Sequence, residues 1–172
     1  MARPTVSRAL AARTGAGLVL AYIDVMTNRE QPIDYYDVDE SSDYTHYSNS
    51  WADVDATNLN LSITTSGGDV LVHFHGMCWG GDDVSVRMSV LVDGSTRLGG
   101  NEGIAGWGNS STGGAYQEGP ITFTRLITGL SAASHTFKLQ WKGGYQDNIN
   151  MAAGAGTSDK DVEPQFWVRE II

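Results

Sequence analysis

The residues best suited to chemistry sit close together. The stretch VLVHFHGMCW, residues 70–79, holds two of the four histidines, His73 and His75, and the only cysteine, Cys78. Residues i and i+2 of a β-strand point to the same side. On a strand both imidazoles therefore project with Leu71 and Met77, while Val70, Val72, Phe74 and Cys78 face the other way. Such a pair can share a zinc ion, but a zinc site takes three or four protein ligands. The other candidates, His46, His135 and Cys78, are remote in sequence or on the wrong side of the strand, so one chain alone is not expected to form a metal site. A strand buried on one side and carrying Leu, His, His and Met on the other fits contact with a neighbouring subunit, where apolar and polar groups mix. Leu71, His73, His75 and Met77 are thus candidate interface residues, and three copies around an axis would bring the histidines together as a ring.

Carboxylates come next. Asp34, Asp37, Asp39, Glu40, Asp43, Asp53 and Asp55 crowd residues 34–55, which contain no Lys or Arg. Several carboxylates suit a hard cation such as calcium, yet the spacing lacks the glycine and closing glutamate of the twelve-residue EF-hand loop. A solvated acidic loop is the simpler expectation. Pairs such as Asp82 and Asp83, or Glu102 and Glu118, are read as surface groups, because the sequence does not set the separation that glycoside hydrolysis needs. The sequence holds no GxSxG elbow, P-loop, HExxH or dinucleotide fingerprint. Neither catalysis nor a cofactor is expected. The glycine-rich segment GGNEGIAGWGNSSTGGAYQEGP, residues 99–120, offers Trp107 and Tyr116 as side chains for a ligand or partner, or else serves as a long connection between sheets.

Composition narrows the partners. The chain has 172 residues, enough for one domain with a sizeable core, and a formal charge of −9. Free nucleic acid is not expected as a partner at that charge, since binding it needs clustered Lys and Arg. A lone cysteine allows no internal disulfide. Arg3, Arg8 and Arg13 precede a short apolar patch at 16–22, but there is no long apolar region or clear cleavage site, so no signal peptide is expected. No run approaches a membrane span, and synthesis in a cytoplasm is the expectation.

The elements that must position these residues read as strands. NLNLSITT places Leu59, Leu61 and Ile63 on one side; DVSVRMSVLVDG alternates Val84, Val86, Met88, Val90 and Val92 with Ser85, Arg87 and Ser89; HTFKLQW alternates Phe137, Leu139 and Trp141 with Thr136, Lys138 and Gln140. QFWVREII and GLVLAYIDV are further candidates. SGGD, DGS, GGY and TGLSAAS carry turn chemistry between them. Only TVSRALAAR, residues 5–13, reads as a short helix or a mobile arm. The pattern predicts an all-β antiparallel β-sandwich of jelly-roll type, with residues 1–16 as an extended N-terminal arm and 17–172 as a single domain.

The segments GPITFTRLITGLSAASHTFKLQWK (119–142) and EPQFWVREII, with GGDVLVHFHG and VSVRMSVLVDG upstream, resemble small jelly-roll proteins encoded among tailed-bacteriophage structural genes. The resemblance covers roughly residues 50–172. It implies a topology of the tumour-necrosis-factor and C1q type, which usually assembles as a homotrimer, and it brings no catalytic residues. On that basis the chain is expected to be a virion structural protein, a trimeric capsid decoration or cement protein. Its partner would be the major capsid protein of a phage head, reached by the arm through Arg3, Arg8 and Arg13. The alternatives are a fibre or tail-tip module that binds a host glycan or protein through Trp107, Tyr116 and the acidic loop, and a metal-dependent or carboxylate enzyme on the same scaffold.

Overall fold

Period-two alternation and turn residues at short intervals leave little opportunity for helix. The computed structural model describes residues 9–14, 17–22, 32–38, 40–81, 83–108, 117–144, 148–154 and 162–171, and every regular element among them is a strand. The chain divides into two units, Met1–Gln31 and Pro32–Ile172.

In the first unit, β1 (Ala9–Thr14) pairs antiparallel with β2 (Gly17–Tyr22), Ala9 opposite Tyr22 and Thr14 opposite Gly17. The segment open to a helical reading is thus extended where it is described. Pairing with the apolar GLVLAY run overrides the local helical preference of its Ala, Leu and Arg residues.

The second unit is built from two sheets of antiparallel strands: β3 (Ile33–Asp37), β4 (Tyr44–His46), β5 (Ala52–Asp53), β6 (Asn60–Thr64), β7 (Asp69–Gly80), β8 (Ser85–Val92), β9 (Thr96–Arg97), β10 (Ala105–Gly108), β11 (Gln117–Ile127), β12 (Ser134–Gly143), β13 (Ile149–Met151) and β14 (Gln165–Ile171). In the first sheet β7 is central. It pairs along one edge with β11, and along the other with β14 and then β13; β3 lies beyond β14 and β4 beyond β13. The second sheet centres on β8 and β12. β10 and β9 lie on the outer edge of β8, and β6 and β5 on the outer edge of β12.

The alternation read from the sequence sets which side is buried. Val70, Val72, Phe74 and Cys78 of β7 face Val86, Met88, Val90 and Val92 of β8 and Phe137, Leu139 and Trp141 of β12 across the core. Phe166, Phe74 and Phe123 are neighbours across β14, β7 and β11, with the last two ring centroids 5.7 Å apart. Each such side chain contributes about 1.5–3 kcal/mol by leaving water.

Two segments depart from expectation. The glycine-rich stretch at 99–120 contains β10 and the start of β11, so it is not one uninterrupted loop. The acidic segment holds β3, β4 and β5 in place of a free loop. Its carboxylates accept hydrogen bonds from distant parts of the chain: Asp34 from the Ser62 amide at 2.8 Å, Asp37 from the Gln165 side chain at 2.7 Å, Asp43 from the Ala153 amide at 3.2 Å and Asp53 from Gln140 at 2.7 Å. The expectation of a merely solvated loop is corrected. The charges act as fasteners, Asp34 and Asp43 by accepting from backbone amides that need acceptors and Asp37 and Asp53 by accepting from glutamine side chains.

Candidate functional site

The outer side of the β3-β14-β7-β11 sheet gathers the side chains that the core does not use. Register fixes the array. Ile33, Arg169, Leu71 and Leu126 form one row across the four strands; Tyr35, Trp167, His73 and Thr124 form the next; Asp37, Gln165, His75 and Thr122 form the third; Met77 and Pro120 follow. All of these are exposed or half-buried, including Ile33 at 56%, Tyr35 at 60% and Leu126 at 47% exposure. Ile33, Tyr35, Gln165, Trp167 and Arg169 line a shallow depression of about 260 Å³. Leu71, His73, His75 and Met77 therefore share one outward side, with Cys78 buried behind them, as the spacing requires.

The two imidazoles are held in the same way. His73 Nδ1 shares a hydrogen bond with the Thr124 hydroxyl at 2.8 Å, and His75 Nδ1 with the Thr122 hydroxyl at 2.9 Å. His73 also stacks on Trp167, with ring centroids 5.0 Å apart and planes 22° from parallel. Partial burial, and then the neighbouring His75, hold His73 below the ordinary histidine range, so the neutral ring is favoured.

The other candidates lie elsewhere. His46 stacks on Trp141 at 5.6 Å, and its Nε2 meets the Ser50 carbonyl at 3.1 Å. His135 is buried, its Nδ1 2.7 Å from Asp93 and its Nε2 3.0 Å from the Ser131 carbonyl. Burial pushes the Cys78 thiol up to about 12, so it is an inert core group. Among the described residues no three His, Cys, Asp or Glu side chains come together to hold a metal. Glu40 accepts hydrogen bonds from Tyr36 and Asn58, and Asp55 accepts them from Tyr44, Thr57 and Asn58. Trp107 is half-buried on β10, its indole pressed on Gly119 of β11, where any Cβ would collide with it. Tyr116, Arg3 and Arg8 lie outside the described residues; Arg13 falls on β1, opposite Leu18.

Sequence reasoning missed Ile33, Tyr35, Trp167 and Leu126 as members of this outer array. The alternation of IDYYD and QFWVREI carried a usable signal, because Trp167 and Arg169 must oppose the buried Phe166 and Val168.

Comparisons with known proteins establish the fold. No family model and no curated protein matches the chain. Among solved structures, the Eiger TNF from S. frugiperda is similar with a TM-score of 0.52 at 10% identity, over 83% of this chain and 93% of that one. The infectious bursal disease virus Gx strain structure aligns at 11% identity with a TM-score of 0.41, over 95% of this chain and 41% of that one. The chain thus has an all-β jelly-roll fold of the tumour-necrosis-factor type.

Proposed function

We propose that this chain is a non-enzymatic structural protein of a virion, a capsid decoration protein that associates in threes through the outer side of the β3-β14-β7-β11 sheet. The observation that supports the reading is that array. It places apolar, aromatic and imidazole side chains in adjacent rows on a rigid four-stranded surface, a composition typical of the buried centre of protein contacts. The phage-like segments within residues 50–172 support the virion role. Each trimer would bury this side between its subunits, and the arm carrying Arg3, Arg8 and Arg13 would reach the major capsid protein. Binding only the assembled shell stabilises it by mass action, and no turnover is required.

Co-sedimentation with intact capsids, using the full chain and a form lacking residues 1–16, tests the role. The reading expects the full chain to pellet with capsids and the truncated form to pellet less. A full chain that stays in the supernatant, or is found only at a tail tip, contradicts the decoration role. Undiminished pelleting of the truncated form contradicts the arm contact.

A further inference from the structure

The imidazoles of β7 hold an unused donor set. Each ring uses Nδ1 on a threonine hydroxyl of β11, and among the described residues neither Nε2 has a partner. Metal-binding histidines are typically arranged in this manner: a second group fixes the ring and its tautomer through one nitrogen and leaves the other aimed outward with its lone pair. Two identical arrangements, two residues apart on one strand, place both free nitrogens on the same side of the sheet.

We propose that His73 and His75 chelate a divalent first-row transition ion, and that the same pair from other copies of this chain completes its coordination; this completion rests on the association proposed above. Two imidazoles underfill any transition-metal shell, and no third ligand stands beside them among the described residues. The site is therefore incomplete in one chain. Three copies would supply six imidazoles, a ligand that suits zinc, copper, iron or nickel. The surroundings argue against calcium and magnesium, which prefer oxygen. β11 presents only the Thr122 and Thr124 hydroxyls to the rings; β14 presents Trp167, Gln165 and the cation Arg169; the nearest carboxylate in these rows, Asp37 on β3, is engaged by Gln165.

Equilibrium dialysis of the full chain against zinc chloride and against nickel chloride, with mass followed by light scattering, tests the site. Wild type should take up one ion per three chains at trimer mass. His75→Gln, at an exposed position, should weaken uptake at least tenfold with unchanged melting. Thr122→Val, which removes the orienting hydroxyl, should weaken it about 10- to 100-fold. Trimer mass with no more uptake than His73→Gln/His75→Gln overturns the chelate and leaves the association standing. Uptake that the double variant abolishes, seen at single-chain mass, supports the chelate and overturns the association.

Discussion

The two outer sides of the sandwich solve the same problem in opposite ways. On the β8-β12 sheet, the polar alternates Lys138, Gln140 and Lys142 are closed within the chain. Gln140 donates to Asp53 at 2.7 Å and accepts from Arg97 at 3.0 Å; Lys138 pairs with Asp53 at 3.4 Å; Lys142 donates to the Asn101 carbonyl at 2.6 Å. The Arg97 and Lys142 cations lie 4.9 and 5.1 Å from the centre of the Trp51 ring. On the β3-β14-β7-β11 sheet the alternates include Ile33, Tyr35, Trp167, Leu71, Met77 and Leu126, set among Arg169, Gln165, Asp37, Thr122, Thr124 and two half-used imidazoles. Buried polar groups must find partners, whereas an apolar surface gains only when something covers it. One side is therefore finished by its own chain and the other is not.

The largest effect expected from this contrast is on association. Trp167→Glu places a charge at the centre of the unfinished side, and self-association should weaken about hundredfold, the loss typical of a central aromatic contact. Light scattering across a dilution series reads this, and a preserved strand-type circular dichroism spectrum confirms the fold. Unchanged mass would break the contrast.

A second effect separates two kinds of histidine. His135 has an acceptor at each ring nitrogen, Asp93 and the Ser131 carbonyl, so the protonated ring, which donates from both nitrogens, is favoured. The Asp93 bond first, and then the Ser131 bond, outweigh burial and raise the His135 pKa. Its stabilisation is full below the unfolded value of about 6.5 and is lost as pH rises through the higher folded value. For Asp93 burial acts upward, but the bonds from His135 and Thr136 win and hold the carboxyl low, so its share is lost only in acid. Hydrogen bonds to charged groups contribute about 1.5–3 kcal/mol, and His135→Gln should flatten the decline in melting temperature as pH rises above about 6.5. His73 behaves in the opposite sense. Its lowered pKa means that the fold resists protonation of the ring, so its share of stability is lost as pH falls below the unfolded value of about 6.5.

The finished side should respond in stability alone. Gln140→Ala removes one hydrogen bond each from Asp53 and Arg97, and should cost about 1–3 kcal/mol in urea unfolding with no change in mass. The smallest effect is expected at the exposed Arg87–Glu102 pair, 2.7 Å apart, where Arg87→Ala should cost about 0.2–1 kcal/mol by the same measurement.

What the sequence could and could not disclose follows from the range of each interaction. Alternation along β7, β8 and β12 is local, so the division of VLVHFHGMCW into an inner Val70, Val72, Phe74 and Cys78 and an outer Leu71, His73, His75 and Met77 was legible. The strands within residues 34–55 were not, because the groups that hold their carboxylates, Ser62, Gln165 and Ala153, lie far along the chain. Trp107 shows the same limit. That its indole packs on Gly119 of another strand cannot be read from the glycine-rich segment around it. Half of the outer array was hidden for the related reason that β3 and β14 reach β7 only through long-range pairing.

The central claim is that the β3-β14-β7-β11 side is covered by further copies of this chain. The mass of the full chain in solution, measured by light scattering at matched concentrations for wild type and Trp167→Glu, tests it most directly. The account predicts three times the 18.5 kDa chain for wild type and a single chain for the variant; wild type at 18.5 kDa, or a variant that keeps the full mass, would contradict it.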